Sequence, residues 1–361
     1  MSKLKKRVNI LDLSDIHLGH KNTPTDFIID NLYKFFDDYS KLLEDVDIII
    51  ISGDMFDRLL PTNSQDYLSI IEWITNLSKY CQKRNIKLRY LEGTPSHDFK
   101  QLSAFNTILK KLEIKIDFKY FEKITIEYIH EYNMHILYIP DEANETANET
   151  YIEVLALLKE HNLHKVDLIV MHGQFHYHLP MFNSPISHTE ENYLQLTDNY
   201  ILCGHIHTHS RYDRILTIGS FDRNKHNEEE DKGAIYLTLN DGVNEYIFLK
   251  NKHSKTYKTF HYTDETIETI IHVIRKMQFK DGSFIRIRIN KGSDLKNSLD
   301  VLKNLFKHIH IKIEYNDEED KEKKIEIHVS EEFSITKNNI VSLVKEHIFD
   351  KDTLDELNKF I

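Results

Sequence analysis

The chain has 361 residues, 40% hydrophobic and 29% charged, with only 10 Gly and 6 Pro. That composition excludes a collagenous or disordered polymer and leaves room for two domains at roughly 100–200 residues each. A formal net charge of −11 excludes a surface coated in basic charge, so any nucleic-acid site must be a local patch on one face. Cys81 and Cys203 are the only cysteines, too few for a disulfide framework, and they fit a reducing cytoplasm. No apolar run approaches the ~20 residues of a membrane span, and residues 1–10 are basic without a following apolar stretch. The expectation is a cytoplasmic protein without a membrane partner.

From the start of the chain, β-branched runs over 8–13, 46–52 and 86–92 read as buried strands, with helically spaced apolar residues over 26–43 and 65–84 between them. Strand, helix, strand, helix, strand is the order of an α/β sheet layered with helices. Further strands are expected over 134–139, 166–171, 200–203, 234–239 and 246–249, with a helix over 151–161 separating the first two. Residues 251–257 are polar and lysine-rich, and the pattern then restarts. A helix over 264–277, an alternating strand over 284–289, a helix over 295–308 and strands over 310–315 and 324–329 form a second, smaller α+β unit. The charged run 316–323 reads as a solvated hairpin tip. A last helix over 337–358 follows Ser334 or Thr336 as N-cap. The expected domains are 1–252, 257–332 and a helical segment 333–361.

Chemistry is concentrated where the expected strands end. Of 22 histidines, several sit beside aspartates. Strand one ends in Asp15-Ile16-His17, whose i, i+2 spacing in extended backbone points both side chains one way. Strand two ends in Gly53-Asp54-Met55-Phe56-Asp57, strand three in Gly93-Thr94-Pro95-Ser96-His97-Asp98, and later strands in Met171-His172-Gly173 and Cys203-Gly204-His205-Ile206-His207. In an open α/β sheet the carboxyl ends of neighbouring strands share one crevice, so these ligands converge. Carboxylate and imidazole without thiolate suit Mn²⁺, Fe²⁺ or Zn²⁺, and two such ions a few ångströms apart clamp an in-line displacement at phosphorus.

This series, Asp15-x-His17, Gly53-Asp54-x-x-Asp57, Gly93-x-x-Ser96-His97-Asp98, His172 and Gly204-His205-x-His207, resembles the calcineurin-like metallophosphoesterases in order and placement. Within them, Leu18-Gly19-His20 and Gly219-Ser220-Phe221-Asp222-Arg223 are similar to the Mre11 and SbcD nucleases, phage versions of which are similar in size. The resemblance implies a layered α/β/β/α metallophosphoesterase core with the α+β unit in the position of a DNA-capping domain. It implies two divalent ions, Mn²⁺ first and Mg²⁺ among the alternatives. Asp15, His17 and His207 would hold one, His172 and His205 the second, and Asp54 would bridge them. His97 would contact the scissile phosphate or protonate the leaving oxygen, with Asp98 orienting it. The family has Asn where Ser96 stands, which makes Ser96 the candidate to complete the second ion's shell, by a hydroxyl shorter than that amide. Asp57 stands where the archaeal and eukaryotic nucleases tend to have His, and SbcD-like chains are similar to this one there.

The function that follows is a manganese-dependent DNA exonuclease or endonuclease of recombination, repair or replication. It would act as a homodimer built through the helices over 26–43 and 65–84, with a Rad50- or SbcC-like ATPase on a separate chain, since no Walker motif is present here. Two rival readings are a small-molecule phosphodiesterase or phosphoprotein phosphatase on the same fold, and a catalytically dead scaffold. Arg58, Lys100, Arg211, Arg214, Arg223 and Lys225 fall near the motif loops and are candidates for phosphate contact; each taken alone reads more simply as an ordinary surface charge. Arg286 and Arg288 alternate along their strand, where an ion-paired face is the simpler reading than a DNA contact. Phe284, Ile285, Ile287 and Ile289 are not expected to make a clean apolar face. His176, His178 and His188 match no motif and read as local hydrogen-bonding or solvated residues.

Overall fold

The computed structural model describes residues 7–179, 184–240, 243–262, 266–290, 293 and 297–315. The chain divides into two compact units, 1–314 and 315–361; of the second, Tyr315 alone is among the described residues. The strand expected over 324–329, the charged tip 316–323 and the helix over 337–358 lie outside the described residues.

In chain order, β1 (Val8–Leu13) is followed by α1 (Thr25–Asp38), α2 (Ser40–Leu43), β2 (Ile48–Ser52), α3 (Gln65–Arg84), β3 (Lys87–Leu91), α4 (Pro95–Asp98), α5 (Phe105–Lys111) and β4 (Phe118–Phe121). Next come β5 (Thr125–Ile129), β6 (Met134–Ile139), α6 (Ala147–Glu160), β7 (Leu168–His172), α7 (Glu190–Leu194), β8 (Ile201–Gly204), β9 (Ser210–Tyr212), β10 (Ile215–Thr217), β11 (Gly233–Asn240) and β12 (Val243–Lys250). A smaller set follows: β13 (Tyr257–Tyr262), α8 (Ile267–Met277), β14 (Phe284–Ile289), α9 (Leu299–Leu305) and β15 (His310–Tyr315).

Among the described residues the strands form two six-stranded sheets, ordered β12-β11-β1-β2-β3-β4 and β5-β6-β7-β8-β10-β9, and a three-stranded sheet β13-β14-β15. β1 to β4 run parallel, as do β6, β7, β8 and β10; β11 and β12 on one side of the first sheet, and β5 and β9 at the two edges of the second, pair antiparallel. The central strands β1, β2, β7 and β8 are buried along their whole length and mostly apolar because both faces are covered. On β1 and β2, Ile10, Ile48 and Ile50 meet Met134, Ile136, Val170 and Leu202 between the sheets. Leu11, Leu13, Ile49 and Ile51 face the other way, onto Phe35, Trp73 and Ile74 of α1 and α3. Val154 and Leu158 of α6 cover the outer face of the second sheet. The layering is therefore α/β/β/α. A buried ion pair joins the two sheets: Arg89 on β3 donates two hydrogen bonds of 2.8 Å to Glu127 on β5.

Several elements differ from the sequence expectation. The helix over 26–43 is two, broken at Tyr39, whose hydroxyl donates to the Lys250 carbonyl at 3.0 Å while its ring packs on Phe35. α6 starts four residues early at a Thr146–Glu149 capping box. β4, β5, β9, β10 and β13 are short or carry mixed polar residues and were not expected. On β14, Ile285, Ile287 and Ile289 are buried and make a clean apolar face, contrary to expectation, because helices α8 and α9 pack there through Ile270, Ile274 and Leu302. Its other face carries Arg286 and Arg288, 3.8 and 3.9 Å from Glu314, the ion-paired face that was the simpler reading. Among the described residues no helix is long and apolar enough to cross a membrane.

Candidate metal centre

The carboxyl ends of β1, β2, β3, β6, β7 and β8 meet at one edge. β1 and β2 end in laced turns: the Asp15 amide donates to the Gly53 carbonyl (3.1 Å), His17 to Asp54 (3.0 Å) and Leu18 to Met55 (2.8 Å). Asp15, His17, Asp54 and His205 all have positive φ, between 49° and 86°. Such left-handed backbone costs a non-glycine residue ~1–3 kcal/mol and is kept where structure demands it. Two glycines make the approach possible. A Cβ on Gly53 (φ +89°) would stand 2.2 Å from His172 Nδ1, and one on Gly204 2.2 Å from Ser14 Oγ.

Two groups of three ligand atoms lie within 4.8 Å of one another: Asp15, His17 and His207, and Asp54, His172 and His205. Asp54 stands between them, its Oδ2 3.3 Å from His172 Nε2 and 4.0 Å from His17 Nε2. His17 Nε2 and His207 Nε2 face each other at 3.0 Å, and His207 Nε2 is 3.7 Å from Asp15 Oδ1. Asp15 Oδ1 is buried without a hydrogen-bond partner, a costly arrangement unless a cation takes it up. Buried carboxylate oxygens and imidazole nitrogens turned toward one another fit a pair of divalent ions.

The surrounding residues fix which nitrogen faces inward. His172 Nδ1 donates to the Ser52 carbonyl at 2.6 Å, leaving Nε2 toward Asp54. His207 Nδ1 donates to Glu228 at 2.7 Å. His205 Nδ1 is 3.3 Å from Asp141. Carboxylate or carbonyl behind a ligating imidazole sets its tautomer and orientation. Burial opposes ionisation of Asp54, but His172, His17 and His97 outweigh it and hold this carboxyl far below the usual range. Burial likewise opposes the charge on His172, yet Asp54, Asp15 and Asp141 push it well above its ordinary value. Glu228, against its burial, is held down at about 2 by His207 and Lys232.

Of the expected site residues, Asp15, His17, Asp54, His172, His205 and His207 come together, and His97 stands beside them, its ring 5.0 Å from that of His17. Two do not take the expected places. Ser96 is exposed on the one-turn helix α4; the residue that reaches the centre is Thr94, whose amide donates to Asp54 Oδ1 at 2.6 Å and whose hydroxyl is 3.1 Å from Asp54 Oδ2. On this turn the position after Gly93, not the one before His97, faces inward. Asp98 accepts from the amides of Asp54, Phe56 and Gly93 at 2.8–3.0 Å and from the Tyr90 hydroxyl. It therefore shapes the Asp54 turn, while His97 Nδ1 is held by the Asp57 carbonyl at 2.7 Å. Asp57 also lies 3.5 Å from His17 Nδ1, and His17, Asp57 and His97 form a third compact group.

Thr94, Asp141 and Glu228 were missed. Asp141 follows an expected strand as the other ligands do, a usable signal. Glu228 sits in an acidic run with no mark of its own. Of the candidate cations, Arg214 donates to the carbonyls of Thr197 and Leu194, and Arg223 to those of Lys255 and Glu230; both are occupied in holding the fold. His178 and His188 bond locally, to Thr217 and Tyr193.

A family model for calcineurin-like phosphoesterases matches residues 8–209, the stretch that carries every candidate ligand above. No curated protein sequence matches the chain. Among solved structures 66 chains match; one, known from a crystal structure, is similar at a TM-score of 0.40 and 12% identity, covering 68% of this chain and 100% of its own.

Proposed function

This chain belongs to the calcineurin-like phosphoesterases and is a metal-dependent phosphoester hydrolase; from that premise we propose that its substrate is DNA, cleaved in the manner of the Mre11 and SbcD nucleases. The observation that supports DNA is the second α+β unit tied to the rim of the metal centre. Asp222, in the stretch similar to those nucleases, accepts hydrogen bonds from Asn31 (2.7 Å) and from Ser254, in the connection that leads to β13. Such a platform beside the site suits a polymer.

Asp15, His17, Asp54, His172, His205 and His207 would hold two divalent ions, which when bound neutralise phosphate charge and lower the pKa of water. Mn²⁺ is the proposed native ion, from the mixed carboxylate and imidazole donors. The chain's own contribution is orientation. Thr94 holds both oxygens of Asp54. His97, with Nδ1–H donating to the Asp57 carbonyl, would as the imidazolium pass its Nε2 proton to the leaving oxygen and end as the neutral Nδ1–H tautomer. A homodimer through α1 and α3 and an ATPase on a separate chain belong to the same proposal, supported by the resemblance.

One observation favours the small-molecule phosphodiesterase or phosphatase reading: Arg214 and Arg223 are spent on backbone carbonyls, which thins the basic patch DNA requires. The test is a time course of end-labelled linear double-stranded DNA with Mn²⁺, beside Asp54→Ala and a bis-aryl phosphodiester. Shortening of DNA that Asp54→Ala lacks is expected. Turnover of the diester with DNA left intact, also after an SbcC-like ATPase is added, contradicts the nuclease.

A further inference from the structure

His207 is held at two points by one loop, residues 223–232. Its ring Nδ1 donates to Glu228 Oε1 at 2.7 Å, and its carbonyl accepts from Lys232 Nζ at 2.8 Å. Glu228 is 4% and Lys232 1% exposed, so neither contact is a surface accident. Glu228 Oε2 is itself fixed by the Asn224 amide at 2.8 Å. The next residue faces the other way: Glu229 Oε1 accepts from the Thr259 amide of β13 at 2.7 Å, and Oε2 pairs with Lys258. Arg223 closes the loop on itself and on the connection to β13, through the carbonyls of Glu230 (2.7 Å) and Lys255 (3.0 Å).

We propose that Glu228 is a positioning residue for His207, and that Glu229, gripping β13, sets where Glu228 stands, so that the three-stranded unit determines the geometry of one ligand of the metal centre. The inference rests on the reading of Asp15, His17 and His207 as an ion site. An imidazole that keeps its Nδ1–H on a fixed carboxylate presents Nε2 along one line; without it the ring turns about its side-chain bonds, and outer partners of this kind are worth roughly 10–100-fold in metal affinity. Two adjacent side chains with opposite partners turn a displacement of β13 into a displacement of Glu228.

The test is calorimetric titration of the full chain with Mn²⁺ in the absence of substrate. Wild type is expected to bind two equivalents. Glu228→Ala should weaken one equivalent about tenfold or more and leave the other unchanged. Glu228→Gln, which conserves size and an acceptor oxygen, should fall between and guards against misfolding of the alanine variant. Glu229→Ala should weaken the same equivalent by a smaller factor. Wild-type titrations for both Glu228 variants would overturn the positioning role, and an unchanged Glu229→Ala would overturn the link to β13. A wild type that takes up no ion contradicts the metal centre itself, a distinct failure.

Discussion

Asp54 is the residue on which the centre converges, reaching toward both ligand groups and accepting from Thr94. Asp54→Ala should lower turnover by roughly 10³-fold or more while far-UV circular dichroism is unchanged; near-normal activity would remove the centre from the reaction. His97 should behave differently. His97→Ala is expected to keep both ions in a Mn²⁺ titration and lose roughly 10²–10⁴-fold in turnover, the range for a general acid. Equal loss of binding and turnover would place it in the third group with His17 and Asp57 instead. Thr94 and Ser96 make a paired comparison: Thr94→Val should weaken Mn²⁺ binding, and Ser96→Ala, at an exposed position, should leave the titration as it is.

Among the elements, the strand ends carry the burden, and their glycines show it. Gly53→Ala puts a Cβ 2.2 Å from His172 Nδ1 at φ +89°; a loss of at least ~2 kcal/mol is expected in denaturant unfolding. The pair Arg89–Glu127 ties the sheets; Lys119 also reaches Glu127 at 2.9 Å and keeps it paired, so Arg89→Met alone should cost less than the roughly 3–5 kcal/mol of a fully stranded buried carboxylate, with part of it restored by adding Glu127→Leu. Equal stability of the single and double variants would contradict that account. The long apolar or helically spaced elements, such as β1, β6 and α3, were legible because pattern and burial agree there. β4, β5, β9 and β10 were not, since three- to five-residue strands take their conformation from pairing with neighbours rather than from their own pattern. At the site, ligands at strand ends were legible from residue type and spacing. Glu228 and Thr94 were not: the first depends on a loop folding back, the second on which face of the turn after Gly93 points inward.

At the scale of the molecule, buried charge makes stability depend on ions and on pH. Mn²⁺ at about 100 times its Kd should add ~2.7 kcal/mol per site, raising the unfolding midpoint by several degrees over the protein in EDTA. Burial holds His178 neutral down to about 3 and His188 to about 4, against ~6.5 when unfolded. Between those values the unfolded chain binds more protons, so their contribution is complete above pH ~6.5 and is lost as the pH falls toward 4. In EDTA the midpoint of wild type should therefore fall more steeply on acidification than that of His178→Gln/His188→Gln; parallel curves would contradict this. The claim on which all else rests is that the strand ends hold two ions. Anomalous scattering at the manganese edge, from crystals grown with Mn²⁺, tests it directly. Two peaks ~3.5–4 Å apart are predicted, one among Asp15, His17 and His207 and the other among Asp54, His172 and His205. A single peak among His17, Asp57 and His97, or none, would contradict it.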